Sequence, residues 1–153
     1  MIWIPPWLEI ARADAKLGVL EQRGAEHHQR IIEYHQHTTL RASTDEVPWC
    51  AAAMCCWLDE ADHKSTKSAR ARSFLNWGLK LSTPAFGCIV IIKRGGANEP
   101  GPDVLDAKGH VGIFVDMPTP HEIIILGGNQ SNQVCERTYP LSRLLGFRWP
   151  GRG

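Results

Sequence analysis

The spacing of hydrophobic positions changes halfway along this 153-residue chain. In the first half, apolar residues recur every three or four positions, as they do on one face of a helix. This pattern predicts helices over residues 7–17, 26–35, 48–61 and 68–77. Gly18 and Gly78 follow the first and the last of them, and glycine commonly ends a helix. Ser68 is the expected cap of the last helix, and Pro48 the first residue of the third, since proline suits a first helical turn.

In the second half, short β-branched runs replace the helical spacing. They predict strands over residues 87–93, 110–115, 122–126, 134–139 and 145–149. A loop rich in glycine and proline covers residues 95–109, and residues 118–120 form a hairpin turn. Helices followed by strands are typical of an α+β fold, because a parallel sheet needs helices between its strands. We therefore expect N-terminal helices packed on a C-terminal antiparallel β-sheet, in a single domain spanning residues 1–153.

Composition narrows the possible function classes. With 43% hydrophobic and 22% charged residues, the chain has the makeup of a folded globular protein. Its formal net charge of +1 does not indicate binding to nucleic acid. No stretch approaches the roughly 20 apolar residues of a membrane helix, so no membrane partner is expected. The 5 cysteines cannot all pair with one another, and the adjacent Cys55 and Cys56 suit free thiols on one helix.

Cys50 is the strongest candidate for chemistry. It falls in the first turn of the predicted third helix, where unpaired backbone N–H groups and the helix dipole favour a thiolate over a thiol. A thiolate nucleophile also needs an imidazole to exchange its proton and a third group to hold that imidazole. His110 opens one predicted strand, and Asn129 closes the next. If these strands form a hairpin, Asn129 lies near His110 and accepts a hydrogen bond from one imidazole nitrogen.

Other residues near these three positions have two interpretations each. Trp49 either lines a substrate cleft or packs in the core, and Gln130 either touches substrate or merely ends its strand. The spacing of the cysteines lacks the paired CxxC of structural zinc sites, so neither a metal nor a cofactor is predicted. The remaining cysteines are expected to fill the core: Cys55, Cys56, Cys88 and Cys135.

Three short motifs resemble those of a known enzyme group. The sequences WCAA at residues 49–52, GHVG at 109–112 and GGNQ at 127–130 look like the CHAP and NlpC-type cysteine peptidases, both in their order and in the elements that carry them. These enzymes are papain-like, occur in bacteria and phages, and cut peptidoglycan. The resemblance extends over nearly the whole chain to a compact phage and prophage branch of the group. The further positions that look like this branch are Glu21, Tyr34, the segment 68–71 with the later pair 77–78, and the terminal segment 145–150.

The resemblance implies a role for each motif residue. Cys50 would be the nucleophile, His110 the general base and then the acid, and Asn129 the orienting residue. The backbone N–H of Cys50 would be one oxyanion donor. The second donor stays open, because the hydroxyl of Thr44 is not the usual amide. Many such enzymes bind calcium through an acidic loop before the cysteine, but the acidic pair at residues 45–46 is too sparse for one, so no metal is required.

The function implied by the resemblance is hydrolysis of an amide bond in bacterial peptidoglycan. The bond would be the N-acetylmuramoyl-L-alanine amide or a peptide bond of the stem or cross-bridge. The protein would be a phage endolysin or an antibacterial cell-wall lytic effector, made in the bacterial cytoplasm without a signal peptide and acting on the wall in the periplasm. A holin or a secretion apparatus would deliver it, and an immunity protein is a further candidate partner.

Two alternatives to this function stay open. The first is a catalytically silent module of the same fold that binds the wall or another protein. The second is a papain-like protease or transferase that acts on a substrate other than the wall, because one fold hosts many reactions.

Overall fold

A computed structural model describes residues 3–21, 28–40, 48–96 and 98–151 of the chain. It confirms the predicted α+β class, with helices in the N-terminal half and an antiparallel sheet in the C-terminal half. The helices are α1 (Pro6–Leu17), α2 (Gln29–His35), α3 (Cys50–Glu60) and a 3₁₀ helix (Ala71–Asn76), and a short 3₁₀ turn (Leu141–Arg143) lies between the last two strands. As predicted, α1 ends at Gly18, whose φ of 79° is a left-handed conformation that glycine adopts at little cost. Within the described ranges, no helix has the length and apolar character needed to cross a membrane.

The start of α3 differs from the prediction. Trp49, with φ −127° and ψ 12°, is the N-cap of α3, and Cys50 is its first residue. The prediction that Pro48 begins this helix is therefore wrong, because the backbone turns into the helix only after Trp49. Cys50 nevertheless lies in the first helical turn, which is the feature that matters for its chemistry.

The predicted fourth α-helix is instead the 3₁₀ helix. Its N-cap is Arg70, and Ser68 does not cap it. The Ser68 hydroxyl accepts the backbone N–H of Arg70 at 3.1 Å, which closes a local turn ahead of the helix. The buried residues Ala71 and Phe74 lie three positions apart, and this spacing matches the tighter 3₁₀ period.

Six strands form one antiparallel sheet in the order β1-β6-β2-β3-β4-β5. They are β1 (Leu79–Leu81), β2 (Ile89–Ile92), β3 (His110–Thr119), β4 (Glu122–Gln130), β5 (Gln133–Pro140) and β6 (Leu144–Trp149). The hairpin between β3 and β4 is confirmed, and both strands are longer than predicted. β1 has no counterpart in the prediction, because three residues are too few to display an alternating pattern.

The helices pack on one face of this sheet. Ile89 and Ile91 of β2 belong to the cluster that contains the helices, whereas Val90 and Ile92 belong to a second cluster on the opposite face. Helix α3 is buried from Cys50 to Leu58 and packs against β3 and β4. Its first turn reaches the end of the sheet where β3 begins and β4 ends.

The hairpin between β4 and β5 is tight. Gln130 pairs with Gln133 across a turn of two residues. Those residues, Ser131 and Asn132, have φ of 52° and 61°, and a type I′ turn requires positive φ at both positions.

A β-bulge interrupts β4 just before that turn. The pairing register shifts between Gly127 and Gln130, and Asn129 within the shift has φ of 57°. Side chains alternate along a strand, so one extra residue moves Gln130 to the face that carries Gly127 and Ile125. His110 approaches the same face, since a Cβ placed on Gly127 would lie 3.4 Å from its Nε2.

The long loop ahead of β3 is anchored by one buried arginine. Arg72, in the 3₁₀ helix, is fully buried and donates only to backbone carbonyl groups among the described residues. The four acceptors lie 2.8 to 3.0 Å away and belong to Pro100, Gly101, Val104 and Lys108. The loop therefore reaches β3 with its backbone fixed by a side chain from another element.

Candidate active site

The sulfur of Cys50 lies in a cleft at the start of β3. Cys50 is 4% exposed and His110 is 8% exposed, and both line a cavity of about 340 Å³. The first backbone N–H groups of α3 have no partners within the helix, so they favour negative charge at this position. The structure thus brings together the two residues for which the sequence predicts a shared site.

The surroundings of Cys50 favour its thiolate. Burial raises the pKa of the Cys50 thiol, but the charge and hydrogen bonding of His110 oppose that effect. The backbone N–H of Val111 and the charge of Arg94 act in the same direction as His110, and the resulting pKa is below the ordinary value.

The four remaining cysteines have the opposite tendency. Burial raises the pKa of each thiol, to about 11 for Cys88, so they stay protonated at neutral pH. Cys50 is therefore the thiol best prepared for nucleophilic attack. The other four are Cys55, Cys56, Cys88 and Cys135.

Gln130 holds the imidazole of His110. Nε2 of the ring lies 2.8 Å from Oε1 of Gln130, and the Gln130 side chain is buried. The amide nitrogen of Gln130 donates to the carbonyl oxygens of Ile125 at 3.0 Å and Cys135 at 2.5 Å. Because both amide hydrogens are used in this way, Oε1 is the atom that faces the ring.

This contact fixes the protonation pattern of His110. An amide oxygen only accepts hydrogen bonds, so Nε2 of the imidazole carries the hydrogen. Nδ1 is left to exchange a proton with the sulfur of Cys50. A proton relay can therefore run from the sulfur of Cys50 to the imidazole of His110, whose tautomer is fixed by the neutral amide of Gln130.

Asn129 does not hold the imidazole. It lines the cleft, but its side chain makes no hydrogen bond within the described part of the chain. The β-bulge explains the difference from the prediction. Continuing the register in which Ile113 faces Leu126 would place Asn129 opposite His110, and the extra residue gives that place to Gln130. Gln130, interpreted from the sequence as a substrate contact, instead binds the ring.

Trp49 does not line the cleft. It is fully buried, donates its indole N–H to Glu21 at 3.1 Å and stacks on Tyr34 with ring centroids 5.9 Å apart. A Cβ on Gly128 would come within 2.8 Å of the indole ring, so the glycine allows the ring to lie against β4. Trp49 thus fixes where the first turn of α3 meets the sheet, and the prediction of a substrate-binding role is corrected to one of packing.

The cleft is lined by cations that the sequence prediction does not include. Arg94, Arg137 and Arg143 contribute to its wall, together with Tyr139. Arg137 and Tyr139 are two residues apart on β5 and therefore share a face, which is a signal visible in the sequence. Arg94 and Arg143 come from separate loop and turn segments, and no local spacing relates them to the site.

The described residues offer no ligand set for a metal ion. No group of three His, Cys, Asp or Glu side chains among the described residues is arranged to hold a metal ion. All 5 cysteines are free thiols. Thr44 and the acidic pair at residues 45–46, considered above for the oxyanion and for calcium, lie outside the described residues.

Comparison of the chain with protein-family models, curated proteins and solved structures finds no match.

Proposed function

We propose that this protein hydrolyses an amide bond of bacterial peptidoglycan by a thiol mechanism that uses Cys50, His110 and Gln130. The observation that carries the proposal is a sulfur set against an imidazole whose other nitrogen is held by a fixed amide oxygen. Acyl transfer by a thiol requires such a relay. The substrate class comes from the resemblance of the motifs at 49–52, 109–112 and 127–130 to the CHAP and NlpC-type peptidases.

In the first half-reaction, the Cys50 sulfur forms a bond to the carbonyl carbon of the substrate amide. The proton of the thiol has passed to Nδ1 of His110, and the carbonyl oxygen becomes an oxyanion near the backbone N–H of Cys50. His110 then gives its Nδ1 proton to the amide nitrogen, and the C–N bond breaks. A thioester on Cys50 and a free amine result.

In the second half-reaction, water hydrolyses the thioester. His110 accepts a proton from water at Nδ1 while the water oxygen bonds to the thioester carbon. The C–S bond breaks, the proton returns to the sulfur, and the acid product leaves. Gln130 keeps its hydrogen bond to Nε2 in both steps, because a neutral amide takes no proton from the ring.

The test of this proposal is release of dye from labelled, purified sacculi. We expect the parent protein to release dye and Cys50→Ala to release none. Cys88→Ala is the matched control, because it removes a buried thiol that does not line the cleft. Equal release by the parent and Cys50→Ala contradicts the thiol mechanism.

Mass spectrometry of the released muropeptides identifies the bond. A new N-terminal L-alanine indicates the amidase reaction, and a cut within the stem or cross-bridge indicates an endopeptidase. Binding to sacculi without release favours the silent module. Cleavage of unrelated peptides that depends on Cys50, with intact sacculi, favours a protease of another class. Delivery by a holin or a secretion apparatus, and an immunity protein, belong to the same proposal.

A further inference from the structure

The cleft beside Cys50 is cationic. Arg94, Arg137 and Arg143 line it, and its lining contains neither Asp nor Glu among the described residues. By contrast, Arg70 is paired with Asp106 and Arg30 with Glu60. The three positive charges in the cleft repel one another. An anion that enters the cleft is attracted to all three and relieves this repulsion, so it is stabilised there.

Among the described residues, the hydrogen bonds of Arg94 and Arg143 go to neutral backbone carbonyl groups. Arg143 donates Nε to the carbonyl of Lys93 at 3.0 Å and a second N–H to the carbonyl of Arg94. Arg94 donates Nε to the carbonyl of Gly109 at 3.2 Å. Arg137 donates to no described residue. Nη1 of Arg143, both terminal nitrogens of Arg94 and the whole guanidinium of Arg137 therefore remain for a ligand.

Tyr139 connects two of these arginines to the catalytic imidazole. The guanidinium carbons of Arg143 and Arg137 lie 5.0 and 5.9 Å from the centre of its ring. The ring centre of His110 lies 5.6 Å from that of Tyr139. Arg94 is also close enough for its charge to act on Cys50. An anion held by these groups therefore lies next to the reacting atoms.

We infer that Arg94, Arg137 and Arg143 bind a carboxylate of the substrate beside the amide that Cys50 attacks. The inference rests on the proposed function and adds the feature by which the substrate is selected. A guanidinium matches a carboxylate through paired hydrogen bonds. The backbone inside an ordinary polypeptide has no carboxylate, whereas the peptidoglycan stem has free carboxyl groups next to its peptide bonds. The three arginines are thus specificity residues.

The first test measures binding without turnover. Calorimetry with the Cys50→Ala variant compares the tetrapeptide L-Ala–γ-D-Glu–meso-diaminopimelate–D-Ala with the same peptide amidated at every carboxyl group. We expect the acid form to bind at least about tenfold more tightly at low salt, and added salt to reduce the difference. Equal affinity for the two peptides, or binding of neither, overturns the inference.

Charge-neutral variants assign the preference to the arginines. In the Cys50→Ala background, Arg137→Gln should weaken binding of the acid peptide and leave the amide peptide unaffected, and adding Arg143→Gln should remove the preference. The matched control is the double variant Arg12→Gln with Lys80→Gln, which removes two cations outside the cleft. This control should keep the preference for the acid peptide. Arg137→Gln alone decides the question if the double variant does not fold, because Arg137 donates no hydrogen bond to the described chain. An undiminished preference in Arg137→Gln contradicts the inference.

A turnover experiment separates this inference from the proposed function. Native sacculi are compared with sacculi whose carboxyl groups have been converted to amides, both treated with the parent protein. We expect release from native sacculi and at least about tenfold slower release from amidated sacculi. Equal release from both overturns carboxylate selection and leaves the hydrolase standing. Tight binding of the acid peptide without release from native sacculi overturns the hydrolase and leaves carboxylate recognition standing.

Discussion

At the scale of single residues, the third member of the relay is a neutral amide instead of a carboxylate. Gln130 fixes the tautomer of His110 but adds no negative charge to stabilise an imidazolium. The thiolate form of Cys50 therefore depends on the imidazole, on the N–H of Val111 and on the first turn of α3.

The first prediction distinguishes Gln130 from Asn129. Gln130→Ala removes the acceptor for Nε2 of His110, and we expect the rate of dye release to fall roughly 10- to 100-fold, the value of one hydrogen bond to a charged group. Asn129→Gly is the matched control, because glycine also adopts the φ of 57° found at this position. It should change the rate less than about threefold. A larger loss in Asn129→Gly than in Gln130→Ala contradicts the assignment of Gln130.

The second prediction concerns the pH dependence of alkylation. The pKa of the Cys50 thiol is lowered, so iodoacetamide should label it at a pH at which an ordinary thiol, with a pKa of about 8.5, is still protonated. Cys135 is the internal control, because it is partly exposed and burial raises its pKa. In His110→Ala, the labelling profile of Cys50 should move to higher pH. Peptide mapping after brief labelling gives both profiles, and faster labelling of Cys135 than of Cys50 at neutral pH is the contrary result.

At the scale of elements, two adjacent glycines of β4 serve different purposes. A Cβ on Gly127 would lie 2.8 Å from Oε1 of Gln130 and 3.4 Å from Nε2 of His110. A Cβ on Gly128 would lie 2.8 Å from the ring of Trp49 and 2.9 Å from the Cβ of Ala53. One glycine therefore makes room for the hydrogen bond between His110 and Gln130, and the other for the packing of α3 on the sheet.

The third prediction follows from this difference. Gly127→Ala displaces Gln130 from His110, and we expect at least about tenfold slower dye release. Gly128→Ala crowds the core, and we expect it to lower the free energy of unfolding by about 1–3 kcal/mol. Urea unfolding and dye release are measured on both variants. For each variant, the fold loss in dye release is compared with the loss in free energy of unfolding. The prediction fails if this ratio is larger for Gly128→Ala than for Gly127→Ala.

The elements themselves are largely predictable from the sequence, whereas the register within them is not. Periodicity identifies α1, α3 and five of the strands, because burial of one face imposes it. At the bulge in β4, Gly128 lies against Trp49 and Ala53, a contact between distant segments that local spacing does not reveal. Because of the bulge, the residue that binds the imidazole is Gln130 and not the predicted Asn129. The local signal for such a bulge is the sequence of two glycines and an asparagine, residues 127–129, near the end of the strand.

At the scale of the whole molecule, a buried polar network joins the three α-helices. Oδ2 of Asp14 in α1 accepts hydrogen bonds from Tyr34 and Arg30 of α2 and from Trp57 of α3, at 2.5, 3.0 and 2.8 Å. Arg30 also binds both carboxylate oxygens of Glu60, at 3.0 and 2.7 Å. The orientation of α3, and with it the position of Cys50, depends in part on this network.

The fourth prediction concerns stability in acid. The hydrogen bond from Arg30 lowers the pKa of Glu60 in the folded protein below its unfolded value of about 4.3. A lowered carboxyl pKa contributes stability that is complete above the unfolded value and is lost as the pH falls through the folded value. In Glu60→Gln, the fall in Tm between neutral pH and pH of about 3 should therefore be smaller than in the parent. Solvent screens this partly exposed pair, so the difference corresponds to about 0.5–1 kcal/mol. An identical fall in both proteins excludes this contribution.

The anchor that Arg72 forms has a consequence for how this protein tolerates sequence change. Its guanidinium recognises main-chain oxygens of the loop between β2 and β3, and main-chain oxygens are the same whatever side chains the loop bears. Selection on that segment therefore acts on backbone shape, and its exposed side chains are free to diverge between related proteins. The anchored segment can therefore change in sequence while the histidine that opens β3 stays in place.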